Sequence, residues 1–220
     1  SSSSSSSSSS CGSTGFEPPQ RRVFLLLAAC FVCQGMPSQM AKVWLPTMLA
    51  RLGRPSCVGE AFTLMWGLEV VGILSMGILF GGKKAKGQDA REAAAGSKAR
   101  GDEALLSQLW VSSASFLAAA CCILGMRVAN LPALLGLLGG LHLISQGAAF
   151  NFLLPFSAVV FPPSVRARRI AVLLLAAQAG IWLGPNVGSY LLQSSTPLAG
   201  AVTSIYVVAG IYAAGAAFVL

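Results

Sequence analysis

Apolar residues run in six long blocks along the chain, at about 23–50, 61–82, 105–126, 131–160, 169–193 and 198–220, separated by short polar connectors. Each block reaches the roughly 20 residues that a helix needs to cross a bilayer. The pattern predicts an all-α membrane protein of six transmembrane helices. The first and fourth blocks are longer than needed, so tilt, a kink at Pro37 or Pro155, or an interfacial end absorbs the excess. Arg21-Arg22 before the first block imitates the start of a signal peptide, but the block is too long and five more follow it. Ahead of it, residues 1–20 open with ten serines and read as a disordered linker that cannot bury a core. The chain has no initiator Met, which predicts a fragment or a processed product.

Composition agrees. Hydrophobic residues make up 55% of the chain and charged residues 10%, against about 25% charged in soluble domains. Mean hydropathy is +0.71. A soluble fold of this size could not hide so much apolar surface, so the lipid bilayer is the expected solvent and partner. The net charge of +8 invites a nucleic-acid reading, but nine of the fifteen Lys and Arg lie in two connectors, from Lys83 to Arg100 and from Arg166 to Arg169. No basic face with interleaved aromatics exists, so nucleic acid is excluded as a partner. Cys30-Phe-Val-Cys33 has a redox or metal spacing, yet it lies inside an apolar block with no second pair and one His in the chain. It reads as small membrane-embedded hydrophobes, as does Cys121-Cys122. No metal or cofactor is expected.

The basic residues instead report orientation. Eleven lie on the N-terminal flank, in the 83–104 connector and in the connector ending at Arg169, against three (Arg51, Arg54, Arg127) in the alternate connectors. That asymmetry places both termini and the 83–104 loop in the cytoplasm. The loop itself, charged and rich in small residues, reads as solvated.

The join of the fourth and fifth blocks carries the most specific motif. It reads Phe161-Pro162-Pro163-Ser164-Val165-Arg166-Ala167-Arg168-Arg169, and Gly180-Ile-Trp-Leu-Gly184-Pro185-Asn186-Val187-Gly188 follows. This resembles the tenth and eleventh helices of major facilitator superfamily transporters. Trp44-Leu45-Pro46-Thr47 followed by Leu52-Gly53 looks like the seventh-helix end of organic-ion and aromatic-acid transporters in that superfamily. Gly77-Ile-Leu-Phe-Gly81-Gly82-Lys83-Lys84 stands where the family's loop motif belongs, with Gly81 in place of its acidic residue. Ala158, Val159 and Val160 stand where sugar porters carry a Glu. The resemblance covers most of residues 22–220. It implies the C-terminal half of a twelve-helix transporter, built as two inverted three-helix repeats, 22–126 and 131–220. A missing N-terminal six-helix half and a small organic solute, with a coupled proton, are the implied partners. The first helix of each repeat would line the solute cavity, and the second would rock against the other half.

Candidate chemistry is sparse. Glu69 falls mid-span, where a carboxylate costs about 2.5–3.5 kcal/mol on insertion scales, so it needs a partner or a wet cavity. It reads as a proton- or cation-coupling group, or as half of a structural pair. Lys42 lies eight residues from its span's outer end and Glu69 eight from its own, so both sit roughly 12 Å deep on consecutive antiparallel helices. A salt bridge is feasible, with snorkelling of Lys42 the alternative. His142 and Gln146 share a face of the fourth span, continued by Phe150, and are candidate solute contacts; Asn151 lies about 180° from His142. In the fifth span Gly180, Gly184 and Gly188 form a smooth stripe opposite Gln178, Trp182, Pro185 and Ser189. The stripe and Pro185 suit a moving helix, Arg166 belongs to the connector motif, and Gln178 and Trp182 are the ligand candidates. The last block is dense in small residues, as close packing requires.

Transport is the reading these features favour, with no catalytic residue. A truncated pseudo-transporter acting as a scaffold is the alternative, favoured by Gly81 and the missing half. An intramembrane serine hydrolase using Ser145 and His142 fits poorly: no Gly-x-Ser-x-Gly setting occurs in any span.

Overall fold

The computed structural model describes residues 18–81, 97–129, 131–193 and 196–220, nearly all of them helical. The helices are α1 (Pro18–Arg51), α2 (Val58–Gly81), α3 (Ser97–Val128), α4 (Pro132–Val160), α5 (Pro163–Gln193) and α6 (Pro197–Val219). A short 3-10 turn, Pro55–Cys57, precedes α2. No strand occurs among the described residues. Five helices (all but α2) are long and apolar enough to cross a membrane, which makes the chain a multi-pass membrane protein. The remaining helix, α2, is 24 residues long.

Helix ends follow local chemistry. Gly53, at φ 80°, closes α1 in a Schellman motif, with Gly53 N–H donating to Ala50 O and Arg54 N–H to Leu49 O. Pro132, Pro163 and Pro197 each occupy the first turn of their helix, where a missing N–H costs nothing. Three expectations are corrected. The basic connector 163–169 is not a loop but the first two turns of α5. Residues 97–104 of the expected 83–104 loop belong to α3, where Ala, Arg and Glu favour helix; residues 82–96 lie outside the described residues. Pro18–Gln20 of the expected linker already belong to α1, while 1–17 lie outside the described residues. The chain runs helical through Pro37, Pro46, Pro155 and Pro185.

Two parallel helix pairs form the frame. α5 lies along α1 in constant register: Gly180 against Val32, Gly184 against Met36, and Gly188 against Met40 and Trp44. A methyl group at Gly180 would sit 2.7 Å from Val32 O, so the backbones touch only because glycine is there. Gly35 of α1 meets α5 in the same way, at the Ala177 carbonyl. The second pair repeats the device, with Gly136 on Leu64, Gly140 on Leu68, and Gly72 of α2 on Ile144. α3 packs on α4 and α6, and α6 packs on α1. Phe31, Met40, Leu49, Phe116, Leu143, Leu153 and Tyr212 are fully buried among these helices. α1 touches α2 and α4 much less extensively, leaving a seam between the two frame pairs.

Candidate functional site

Polar side chains cluster at that seam. Lys42 Nζ of α1 donates to Glu69 Oε1 of α2 at 2.9 Å, with side-chain exposures of 18% and 12%. The equal-depth argument from sequence therefore ends in a formed ion pair rather than in a snorkelling lysine. Lys42 also stands over the Trp66 ring, 5.2 Å from its centroid and one turn of α2 before Glu69. Two helix turns deeper along α1, Gln34 Nε2 donates to Gln146 Oε1 of α4 at 2.8 Å. Each contact bridges helices that otherwise barely meet. One closes α1 against α2, the other α1 against α4.

Beside them opens a cavity of about 290 Å³, lined by Gln34, Glu69, Gln146, Phe150 and Asn151 together with small and aliphatic residues of α2 and α4. Glu69 Oε2 is buried with no hydrogen-bond partner among the described residues. A carboxylate with one oxygen held by an ammonium and the other idle beside a cavity can do two things: exchange a proton, or accept a hydrogen bond from a solute. The amides and the Phe150 ring add polar and apolar contacts without further charge.

No family model, curated protein or solved structure matches this chain. The site must therefore be read from its own geometry.

The remaining candidates divide. Gln146 lines the cavity as expected for a solute contact, and Phe150 with it. His142 does not: its ring is buried against Tyr212 of α6, with centroids 5.4 Å apart. The His142 ring turns to α6 although Gln146 and Phe150 of the same stripe reach the cavity, and Asn151, about 180° from His142, reaches it as well. Gln178 and Trp182 do not line this cavity. Both sit on the outer surface of α5, Trp182 at 76% exposure, because the glycine stripe opposite them is what α1 covers. Gly180, Gly184 and Gly188 take the packing role foreseen for them. Pro185 O accepts the Trp44 indole N–H at 2.8 Å, and Asn186 Nδ2 donates to Trp182 O, so side chains reinforce the backbone around the proline. Arg166 donates to Phe161 O, tying the first turns of α5 to the end of α4. Cys30 and Cys33 are buried in α1, both beside Gly215 of α6. Sequence reasoning missed Gln34 and Asn151, although an amide inside an apolar span is itself a signal.

Proposed function

We propose that the chain is the C-terminal half of a secondary active transporter that moves a small organic solute by alternating access. The observation that carries this reading is the helix pairing. Exchanging α1, α2, α3 with α4, α5, α6 turns the α1–α5 pair into α4–α2, and α3–α4 into α6–α1. It also returns α3–α6 to itself, so every major contact has its counterpart. Helices three apart in an alternating bundle run in opposite senses, which is the relation two inverted repeats would have. That architecture, six membrane spans with α2 as the second, is the one the major facilitator resemblance implies. The seam between the two frame pairs holds the cavity and, inside the first trio, the ion pair; alternating-access proteins place solute and coupling-ion sites near such repeat interfaces.

In this reading Glu69 exchanges Lys42 for a proton or a solute donor group. Lys42, once released, keeps the Trp66 face as a partner, which lowers the cost of the switch. Protonation thereby loosens α1 from α2 and couples the proton to opening of the cavity.

A lone half has no second bundle to rock against, so the purified chain alone in liposomes is expected to take up no solute. Co-reconstitution with an N-terminal half encoded upstream in the same transcript is expected to restore proton-driven uptake. Transport by the chain alone would overturn the half-transporter reading. Orientation is tested separately. In a cysteine-free background, single cysteines at Gly96 and Ser56 are expected to label only from the cytoplasm and only from outside, respectively. Outside labelling at Gly96 with none at Ser56 would reverse the assignment.

A further inference from the structure

The arginines at the two ends of the bundle are used differently. At the end where α1, α3 and α5 finish, each is spent on the fold. Arg51 donates to Leu192 O at the end of α5, and Arg54 to the Met126, Arg127 and Ala129 carbonyls that end α3. Arg127 donates to the Tyr206 hydroxyl and stacks on its ring. Cations at helix C-termini are favoured by the macrodipole, so these need nothing further.

At the opposite end the logic is inverted. The parallel register of α1 and α5 brings Gln20 to Arg169, whose Nη1 donates to Gln20 Oε1 at 3.0 Å. Arg21 and Arg22 are thereby level with Arg168 and Arg169, with Arg166 one turn before. Five arginines thus occupy the first turns of two packed helices, neither of which has an acidic residue in its first turn. Cations there oppose the macrodipole and repel one another. Arg166 and Arg169 are oriented by their bonds to Phe161 O and Gln20, and Arg169 also stacks on the Phe161 ring. Arg21, Arg22 and Arg168 are exposed and form no hydrogen bond or ion pair among the described residues. Immediately along the same two helices, Leu25, Leu26, Val172 and Leu175 lie exposed.

We propose that this arginine cluster holds the headgroup of an anionic phospholipid, with its acyl chains along the exposed leucines and valine of α1 and α5. The anion supplies a counter-charge to Arg21, Arg22 and Arg168, which have none among the described residues. The adjoining apolar strip, at the level where both membrane spans begin, selects a lipid over a free anion.

The test is native mass spectrometry of the detergent-solubilised chain, titrated with short-chain phosphatidylglycerol, short-chain phosphatidylcholine or inorganic phosphate. Phosphatidylglycerol is expected to be retained in preference to phosphatidylcholine, and inorganic phosphate not at all. The triple change Arg21→Gln, Arg22→Gln and Arg168→Gln is expected to weaken phosphatidylglycerol binding roughly 100-fold, since each surface arginine contributes a several-fold factor. Arg168→Gln alone is expected to weaken it about fivefold, which guards against misfolding of the triple variant. Arg127→Gln removes one charge at the opposite end of the bundle and is expected to leave phosphatidylglycerol binding unchanged. Equal retention of the two lipids, phosphate binding as well as phosphatidylglycerol, or equal losses in Arg168→Gln and Arg127→Gln would each overturn the site.

Discussion

Glu69→Gln and Lys42→Met are each expected to lower the apparent melting temperature of the purified chain by roughly 5–10 °C, and the double variant to recover most of that loss. The pair is formed at 2.9 Å and is mostly shielded from solvent, so removing one member strands a charge inside the span. An uncompensated mid-membrane charge costs about 2.5–3.5 kcal/mol, whereas an exposed pair would cost roughly 0–1. Lys42→Met is the informative single, because Glu69 then has both oxygens idle. The double variant leaves an amide and a thioether, neither charged. In the transporter proposed above the same variants separate structure from coupling. The double is expected to fold and yet fail to accumulate solute against a gradient, since glutamine cannot exchange a proton; facilitated flux is expected to persist. Proton-driven accumulation by the double variant would remove Glu69 from the coupling role. Unchanged melting in both singles would mean that the ion pair contributes nothing to the fold.

The second large effect concerns the α1–α5 crossing. Gly184→Leu is expected to abolish recovery of monodisperse protein on size-exclusion chromatography, and Gly184→Ala to destabilise by about 1–3 kcal/mol. A side chain at position 184 runs into the Met36 carbonyl and the Met40 amide, which are backbone atoms and cannot rotate away. Gly67 on α2 is the control, because nothing lies within 4 Å of the site a methyl group would take. Gly67→Ala is expected to be neutral or to stabilise by up to about 1 kcal/mol, through helix propensity alone. If Gly184→Leu behaved like Gly67→Ala, the close backbone approach of α1 and α5 would be wrong, and with it the parallel frame.

The same contrast explains how far the sequence could be read. Length and composition placed the long apolar helices, five of which are long and apolar enough to cross a membrane, because the bilayer fixes how many apolar residues a span needs. Relative depth was legible too: counting residues from the span ends made a Lys42–Glu69 pair feasible, with snorkelling of Lys42 the alternative, and the pair is formed. The glycine stripe of α5 announced a close neighbour, though not that the neighbour is α1, and the matching glycines of α4 went unread. Helix starts were less legible. Basic residues before an apolar block read as a connector, yet Pro163 begins a helix that carries Arg166, Arg168 and Arg169 into its first turns.

Rotation about each helix axis was decided only by the tertiary structure. In a soluble helix the apolar face marks the inside, but a membrane helix is apolar toward lipid and toward protein alike, so hydrophobicity does not say which face turns inward. Trp182 and Phe31 are equally hydrophobic by sequence, but one is 76% exposed and the other 0%. His142 had a cavity-lining helix to sit on, yet its ring packs on Tyr212, while Gln146 and Asn151 of the same helix reach the cavity. The sequence by itself determined that the chain is a set of long apolar helices and which charges they carry. Which helices pair, and which side chains therefore share the seam, was left to backbone contact at a few glycines, because only there is the fit specific enough to choose one neighbour over another.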